Sequence, residues 1–571
     1  MTAMTLDQAV HHVTTTNPIF KVGTADIRGI QYPVFENIPL HIRALMQASR
    51  EAQDNGAAEY IVFEDERLTY DEFCRETNKL AHALEVNLGI RQGDPVAIAM
   101  HNCPEMVVLT AAIASIGAVI VFVNAWWTTQ ELDYALKDSQ AKTIFADGMR
   151  VERLLPLVKD TDLQLIGVRE GETLTDLCYS ALRDAMTDDS WPTVNIHTDD
   201  DFAIMYSSGT TGQPKGVVQT YRGALSSVFT WLMQAVLAPL LDPPDADAPT
   251  PPRPAVLVVT PLFHVTASHS LFLLSIPAGA KFVMLPKWSA ENAVNVIRDE
   301  EITRFMGVPT QSADLMAMAR QMNEPLPTLD FLGAGGAKRP AAQVSELADL
   351  FPNAKIATGW GMTETNANGI GMSGVDYVAR PGSAGKLYPP IQQLKFLDDD
   401  GQEVATGVLG EITVKSASNM RCYLNKPKAT DEVFQGGWIR SGDLGRIDVD
   451  GFVTIVDRKK NIIIRGGENI ACLDVEGAIH HHPAVAEACA FSVPDDRLGE
   501  IVGAAIQVKP GMSMTPDGLR NFLSDHIAHF KIPQHIWFQT DALPRGATDK
   551  IDRRVARTTC LAMLETQKDH P

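Results

Sequence analysis

Short apolar runs alternate with helix-like stretches through most of the first 400 residues of this 571-residue chain. The apolar runs are rich in β-branched residues, and helical patterns such as residues 70–86 lie between them. This alternation is typical of folds in which helices cover a largely parallel sheet, so the sequence predicts an α/β architecture. The strongest candidates for buried strands are residues 95–100, 117–123, 142–146, 255–260 and 280–285.

The pattern changes after about residue 390. Strand-like runs are then separated by acidic turns, as in residues 391–416, which predicts an antiparallel, barrel-like subdomain. From about residue 461 short strands and helices resume, which predicts a compact α+β unit. Because a chain of this length usually divides into domains, we expect this unit to be separate from the larger N-terminal part.

Charge and cysteine usage narrow the class of protein. A net charge of −21 argues against a nucleic-acid-binding surface. The seven cysteines show no paired spacing, which predicts a reducing, cytoplasmic location rather than a disulfide framework. Residues 106–123 carry no charge and approach the length of a membrane span. Gly117 divides this stretch, however, so we expect a buried helix and a buried strand, and no integral membrane segment.

The stretch SSGTTGQPKG, residues 207–216, concentrates glycine and hydroxyl residues around one lysine. Glycines permit tight turns whose backbone amides can face an anion, and the hydroxyls add donors. It is not the phosphate loop GxxxxGK[ST], because Gly216 follows Lys215. The composition predicts a loop that binds pyrophosphate and later releases it. The residues expected to contribute are Ser207, Ser208, Gly209, Thr210, Thr211, Gly212 and Lys215.

This loop resembles the signature loop of the adenylate-forming superfamily, which includes acyl-CoA synthetases, luciferases and the adenylation domains of peptide synthetases. Further stretches resemble the superfamily's motifs in the same order: GAGGAK (333–338), GWGMTET (359–365), GWIRSGDLG (437–445), VDRKKNIIIRGGENI (456–470) and LPRGATDKIDRR (543–554). The resemblance implies a ligase that activates a small carboxylic acid with ATP and Mg²⁺ and transfers the acyl group to coenzyme A.

The resemblance also implies roles for single residues. A carboxylate and the α-phosphate are both negative, so catalysis needs positive charge and hydrogen-bond donors where they meet. Lys550 would be the adenylation lysine, Thr363 would bind the α-phosphate and Glu364 would hold Mg²⁺. The residues expected around the adenosine are Gly335, Gly336 and Ala337 at the adenine edge, Trp360 stacked on the base, Gly361 beside it, and Asp443 and Arg458 at the ribose.

A further implication of the resemblance is a domain rotation between two half-reactions. After adenylation, the C-terminal domain would turn about Lys460, withdraw Lys550 and bring Gly466 and Gly467 to a tunnel for the thiol. The expected organisation is an N-terminal domain (1–457) with two α/β subdomains and a β-barrel-like subdomain, a hinge (458–460), and a small, mobile α+β C-terminal domain (461–571).

The motif PLFHVTASHS, residues 261–270, bears on the acid. Peptide synthetases place an aspartate near this position to bind an amino group, so His264 argues against an α-amino acid. The resemblance makes His264 a gate between the acyl pocket and the thiol tunnel, and a structural histidine is the alternative. The residues around His264 and around the 331–336 turn, where we expect the acid, are small or apolar: Phe263, Val265, Thr266, Ala267, Phe331 and Ala334.

We therefore expect an acyl-CoA synthetase for a medium-chain fatty or similarly apolar acid. An aryl acid such as benzoate or cinnamate is the alternative. A non-catalytic nucleotide-binding scaffold is a third reading, which the retention of Lys550 and of the Thr363–Glu364 pair disfavours. A homodimer is plausible.

Three features stand apart from these motifs. Asp549 occupies a position where the superfamily usually has glycine, and its charge could partly neutralise Lys550. The histidines at 480–482 precede Pro483, which predicts a helix end rather than a metal site. Trp126 and Trp127 are expected to pack against the core or a neighbouring subunit.

Overall fold

The computed structural model describes residues 3–159, 161–207, 214–244, 250–465, 468–546 and 549–569. Strands and helices alternate in its first part, as the sequence predicts. The strands there are β1 (Val22–Ile27), β2 (Ile30–Phe35), β3 (Glu59–Phe63), β4 (Glu66–Thr69), β5 (Pro95–Ala99), β6 (Val119–Phe122), β7 (Thr143–Asp147), β8 (Gln164–Val168), β9 (Leu177–Cys178) and β10 (Asp201–Ser207). The helices are α1 (Leu6–Thr16), α2 (Ile42–Ser49), α3 (Tyr70–Val86), α4 (Pro104–Ser115), α5 (Thr129–Ser139), α6 (Gly148–Val158) and α7 (Tyr179–Asp184).

The middle of the chain continues the alternation. Its strands are β11 (Lys215–Thr220), β12 (Ala255–Val258), β13 (Lys281–Met284), β14 (Arg304–Gly307), β15 (Phe331–Gly335), β16 (Lys355–Gly361), β17 (Gly369–Ser373) and β18 (Lys386–Leu387). Its helices are α8 (Tyr221–Leu241), α9 (Val265–Ala267), α10 (Leu274–Ala278), α11 (Ala290–Asp299), α12 (Pro309–Met322), α13 (Ala341–Leu350) and α14 (Val375–Ala379). A π-helical segment, Ser268–Leu273, joins α9 to α10.

The last part is mostly antiparallel and then mixed. The barrel-like region contains β19 (Gln392–Leu397), β20 (Gly410–Ser416), β21 (Cys422–Tyr423), α15 (Pro427–Val433), β22 (Phe434–Gln435), β23 (Trp438–Ile447) and β24 (Val453–Arg458). The C-terminal region contains β25 (Ile462–Arg465), β26 (Glu468–Ala471), α16 (Cys472–His480), β27 (Val485–Asp495), β28 (Gly499–Val508), α17 (Pro516–Ser524), β29 (His535–Gln539) and α18 (Arg553–Asp569).

Two large sheets form the framework of the N-terminal part. Among the described residues, one sheet has the strand order β21-β11-β10-β6-β5-β7-β8-β9 and the other β18-β17-β16-β15-β14-β12-β13-β3-β4. Their central strands are parallel, whereas β11 runs antiparallel to β10 and β17 antiparallel to β16. The α/β prediction is confirmed, and all five strand candidates coincide with strands.

Smaller sheets follow. β19, β20, β22, β23 and β24 pair antiparallel as the barrel-like subdomain. In the C-terminal unit the antiparallel pairs are β26 with β25, β25 with β28, and β28 with β27. β29 pairs parallel with β28. The large N-terminal domain and small α+β C-terminal domain are thus confirmed.

Local signals explain where several helices begin and end. Thr69 begins α3 with a capping box, because its Oγ1 accepts from the Glu72 amide at 3.2 Å while the Glu72 carboxylate accepts from the Thr69 amide at 2.8 Å. As predicted from Pro483, α16 ends at His480.

The uncharged stretch at 106–123 is divided as expected between α4 and β6, and both are buried in the core. In the described part of the chain one helix, α8, is long and apolar enough to span a membrane by length and composition alone. Half of its most apolar window is buried inside the protein, which is also the behaviour of a core helix.

Candidate active site

A cleft of about 3310 Å³ lies where the carboxyl ends of the parallel strands meet the barrel-like subdomain and the C-terminal domain. Ligands of open α/β sheets bind at this end of the strands. The cleft is lined by every described residue that the sequence predicted for the site: Ser207, Lys215, His264, Gly335, Gly336, Ala337, Trp360, Gly361, Thr363, Glu364, Asp443, Arg458, Lys460 and Lys550. The structure therefore brings together motifs that lie far apart in the sequence.

The predicted pyrophosphate loop connects two antiparallel strands. Ser207 ends β10 and pairs with Lys215, which begins β11, so the two strand ends that flank the loop lie side by side at the cleft. The Lys215 ammonium lies 4.7 Å from the centre of the Tyr423 ring. Ser208, Gly209, Thr210, Thr211 and Gly212, like Gly466 and Gly467 of the predicted thiol tunnel, lie outside the described residues.

Two residues that follow β20 hold Glu364 in place by hydrogen bonds. Its backbone carbonyl accepts from the Met420 amide at 2.7 Å, and its Oε1 accepts from the Tyr423 hydroxyl at 2.8 Å. Burial and then the Glu364 charge raise the pKa of Tyr423, so this hydroxyl stays a donor. A fixed carboxylate oxygen at the cleft is the ligand type that Mg²⁺ prefers, so Glu364 fits the metal role that the resemblance implies. Thr363 is held through its carbonyl, which accepts from Gln219 Nε2 at 3.0 Å.

A second group of predicted residues at the cleft is linked by direct contacts: Trp360, Asp443 and Arg458. Trp360 Nε1 donates to Asp443 Oδ2 at 2.7 Å, and Arg458 Nε lies 3.1 Å from Asp443 Oδ1. Asp443 and Arg458 are also register partners in β23 and β24. The predicted adenine and ribose residues are therefore mutually oriented before any ligand binds.

Lys550 reaches into the cleft from the C-terminal domain. A Cβ placed on Gly336, whose φ is +76°, would lie 2.6 Å from Lys550 Nζ, so a side chain at this position would displace the ammonium group and strain the backbone. Solvent still reaches the side chain through the open cleft, yet protein atoms surround it densely. This desolvation and then the Arg458 charge lower the pKa of Lys550 to about 8, although the Asp443 charge acts in the opposite direction.

His264 stands beside this lysine with an unused nitrogen. Its Nε2 is buried and has no hydrogen-bond partner among the described residues. Burial and then the Lys550 charge lower its pKa to about 3, so the ring is neutral. A structural histidine normally has its ring nitrogens paired when buried, so this arrangement disfavours the structural alternative.

The nearby residues predicted for an acyl pocket divide into two groups. Val265, Thr266 and Phe331 line the cleft. Phe263, Ala267 and Ala334 are instead at most 4% exposed and belong to the core, which corrects the expectation that they surround the acid. For Ala334 the reason is strand periodicity, which turns alternate residues of β15 away from the cleft, whereas Phe263 lies in the turn before α9 with its side chain in the core.

Sequence reasoning missed the residues that position the motifs. Tyr423 comes from β21, which carries no signature, and Gln219 lies three residues beyond the signature loop in β11; only tertiary pairing brings them to Glu364 and Thr363. His269 is a further case, since its Nε2 donates to Asn366 Oδ1 at 3.0 Å while Asn366 Nδ2 donates to the Ser418 carbonyl. The second histidine of PLFHVTASHS was the available signal for this contact.

The two tryptophans differ in environment. Trp127 is half-buried and packs edge-on against Tyr206, with ring centres 5.7 Å apart. Trp126 is 46% exposed, lines the cleft and packs edge-on against Phe263 and His101. Both side chains line the cleft, and Trp127 also packs against the buried core around β6, β7 and β10, as predicted.

Comparison with known proteins agrees with this geometry. The AMP-binding enzyme family matches residues 48–424, and the AMP-binding enzyme C-terminal domain matches residues 474–550. A feruloyl-CoA synthase of an Amycolatopsis species is 32% identical over 485 residues, which are 85% of this chain and 92% of that protein. A long-chain-fatty-acid–CoA ligase of Bacillus subtilis (strain 168) is 29% identical over 524 residues, 86% of this chain and 90% of that protein.

A solved structure is similar over nearly the same length. The o-succinylbenzoate CoA synthetase of Bacillus subtilis, in complex with its acyl-adenylate intermediate, superposes with a TM-score of 0.76 at 26% identity, covering 89% of this chain and 97% of that one. The two family matches cover parts of both domains and include the motifs at residues 207–216, 333–338 and 359–365 and Lys550, whereas Asp443, Arg458 and Lys460 lie between the two matched ranges. This chain therefore belongs to the AMP-binding enzyme family.

Proposed function

We propose that this chain is an acyl-CoA synthetase for an apolar carboxylic acid, working in two half-reactions. Its reaction class is that of an AMP-forming acid–thiol ligase, with ATP, Mg²⁺ and coenzyme A. In the first half-reaction, a carboxylate oxygen attacks the α-phosphorus and the bond to the bridging oxygen breaks, releasing pyrophosphate. In the second, the thiol sulfur attacks the acyl carbon, and AMP leaves with the bonding electron pair.

The observation that carries the proposal is the approach of Lys550 to Gly336 across the domain boundary. In this arrangement an ammonium group faces the turn predicted to hold the adenine edge, with Thr363 and Glu364 on the neighbouring element. A positive charge at that place stabilises the charge that develops as the carboxylate meets the α-phosphate. Mg²⁺ bound at Glu364 would further neutralise the phosphate oxygens.

The same arrangement implies a second conformation. Lys550 occupies the cleft now and would have to leave before a thiol could reach the acyl carbon. Lys460 lies in the short turn Lys459–Asn461 between β24 of the barrel and β25 of the C-terminal domain. A rotation there would move the C-terminal domain as one body, which supports Lys460 as the hinge. His264, with its unpaired Nε2, is suited to the gate between the acid and the thiol.

The acid would lie between α8 and the α9–α10 region. Trp231, Gln234, Ala235 and Ala238 line the cleft at helical spacing from α8, and Val265, Thr266, Ser270 and Leu274 line it from the other side. Met306 and Phe331 form the sheet wall, on the strand face that also carries Gly333 and Gly335.

The length of this wall supports a medium-chain acid. Phe331 and Gly335 are four residues apart on β15, hence about 13 Å, which is comparable with an extended medium-length acyl chain. Arg304 stacks on Phe331 at 5.3 Å and lies 4.0 Å from Asp330, so its charge already has neighbours. An apolar substrate therefore suits this wall better than a second carboxylate.

An aryl acid is the second candidate. Trp231 and Phe331 offer aromatic surface on two walls, and the feruloyl-CoA synthase is among the relatives. The two candidates differ in shape, because a ring needs width near His264 whereas a fatty chain needs depth toward Phe331.

The deciding experiment measures AMP release with Mg-ATP and coenzyme A across straight-chain acids of increasing length, together with benzoate and cinnamate. A maximum at a medium chain supports the fatty-acid proposal, and a maximum at benzoate or cinnamate replaces it with the aryl one. The Phe331→Leu variant should shift the preferred chain length, whereas the matched change Phe351→Leu in the core behind α13 should not. Pyrophosphate release without a coenzyme A thioester would contradict the proposed acceptor.

A homodimer and a cytoplasmic location stay predictions from the sequence. Sedimentation of the purified chain and fractionation of cells test them.

A further inference from the structure

Asp549 adopts a backbone conformation that glycine would adopt more easily. Its φ is +59°, in the left-handed region where a residue with a Cβ is strained, although Asp tolerates it better than most. The resemblance gives glycine at this position, immediately before Lys550. A charged residue in a strained conformation suggests that its side chain has a task.

The carboxylate does not face Lys550. Thr310 Oγ1 donates to Asp549 Oδ2 at 3.3 Å, and Arg545 Nη1 lies 3.6 Å from Asp549 Oδ1. Arg545 also donates to the Asp549 carbonyl and pairs with Glu487. The charges that act on Lys550 are those of Arg458 and Asp443. The expectation that Asp549 neutralises Lys550 is therefore not what the side chain does here.

The contact crosses the domain boundary. Thr310 lies in the first turn of α12 in the N-terminal domain, whereas Arg545 and Asp549 precede Lys550 in the turn that the Arg545–Ile551 bridge closes in the C-terminal domain. A carboxylate is favoured near the first turn of a helix, because the unpaired amides there carry partial positive charge. Thr310 and Asp549 can meet only while the Lys550 turn is docked on α12.

The docked Asp549 carboxylate also lies near a second carboxylate, which repels it. This is Asp314, which lies one turn further along α12 and is exposed to solvent. Trp288 Nε1 donates a hydrogen bond to it at 3.1 Å. Burial and then the Asp549 charge raise its pKa. Attraction to Thr310 is thus partly offset by repulsion from Asp314. A contact of this kind is weak enough to be released, which a domain that must move between two steps requires.

We propose that Asp549 is a positioning residue that docks the Lys550 turn onto Thr310 for adenylation and releases it for thioester formation. The proposal rests on the two half-reactions of the proposed function. Asp549 acts through Lys550 and does not touch the reacting atoms. It should raise the fraction of molecules in the adenylating arrangement, and it should contribute nothing to the step in which the turn has left α12.

The test measures the two half-reactions separately. The first is pyrophosphate release in a single turnover with Mg-ATP and the best acid of the panel, without coenzyme A. The second is thioester formation from supplied acyl-adenylate and coenzyme A. The variants are Asp549→Asn, Thr310→Val and the double variant, with Thr310→Ser as the conservative control that keeps the hydroxyl.

Each single variant should slow adenylation about 10- to 15-fold, the low end for a hydrogen bond to a charged group. The double variant should be no slower than the slower single one, because both changes act on the same contact: Asp549→Asn removes the charge and Thr310→Val removes the donor. Thr310→Ser keeps the hydroxyl and should therefore adenylate at the wild-type rate. Thioester formation should stay within about twofold of the wild type or become faster, since the docked arrangement competes with it.

Asp549→Gly separates the side chain from the backbone. Glycine relieves the left-handed strain but lacks the carboxylate, so it should adenylate as slowly as Asp549→Asn. Wild-type adenylation by the glycine variant, additive losses in the double variant, or equal losses in both half-reactions would each overturn the proposal. A wild-type chain that performs neither half-reaction would refute the proposed function instead, which is a different outcome.

Discussion

The hydrogen bond between Tyr423 and Glu364 yields the sharpest prediction about catalysis. Tyr423→Phe removes the hydroxyl that donates to Glu364 Oε1 at 2.8 Å. Tyr423 is 7% exposed, so water has little access to replace the lost donor. A hydrogen bond to a charged group contributes about 1.5–3 kcal/mol. Glu364 is only half-buried and can rehydrate on its other side, so we expect the lower end of this range, about 1.5 kcal/mol or roughly 13-fold in adenylation rate.

The Mg²⁺ dependence distinguishes positioning from general loss of stability. If Tyr423 orients a metal ligand, the variant should need more Mg²⁺ for half-maximal pyrophosphate release, and high Mg²⁺ should recover part of the rate. Tyr70→Phe is the matched control, because the buried Tyr70 hydroxyl donates to the Met46 carbonyl, outside the residues that line the cleft. It should lower the melting temperature without changing the Mg²⁺ dependence. An unchanged rate and unchanged Mg²⁺ dependence in Tyr423→Phe would refute the reasoning.

Three further predictions concern Lys550 of the C-terminal domain and the hinge residue Lys460. Lys550→Ala should slow acyl-adenylate formation about 100- to 1000-fold, or roughly 3–4 kcal/mol, while ATP binding measured by calorimetry survives; unchanged adenylation would remove Lys550 from its role. Since the pKa of Lys550 is about 8 and its charged form is the lower-pH form, kcat/KM for adenylation should fall as pH rises through about 8, and a flat profile up to pH 10 would contradict this assignment. Lys460→Pro, which restricts φ in the turn, should spare adenylation and block thioester formation; equal loss of both steps would argue against a hinge there.

Whether a site residue could be predicted from the sequence depends on what holds that residue in position. Gly336, Trp360 and Asp443 lie in short motifs whose local backbone carries them to the cleft, and the sequence placed all three on its wall. The pocket residues were harder, because Phe263 and Val265 look equivalent in the sequence. The side on which each one packs depends on the element that it enters.

The sequence by itself determined the α/β framework, the division into a large and a small domain, and the residues whose chemistry suits an acid–thiol ligase. These follow from local periodicity and from motifs that are contiguous in the chain. Only the tertiary structure decided which groups hold those residues in place. Tyr423 and Glu364 are 59 residues apart, His269 and Asn366 are 97 apart, and Thr310 and Asp549 are 239 apart. Such pairs form because the packed sheets and the docked C-terminal domain bring them together, and no local pattern encodes that.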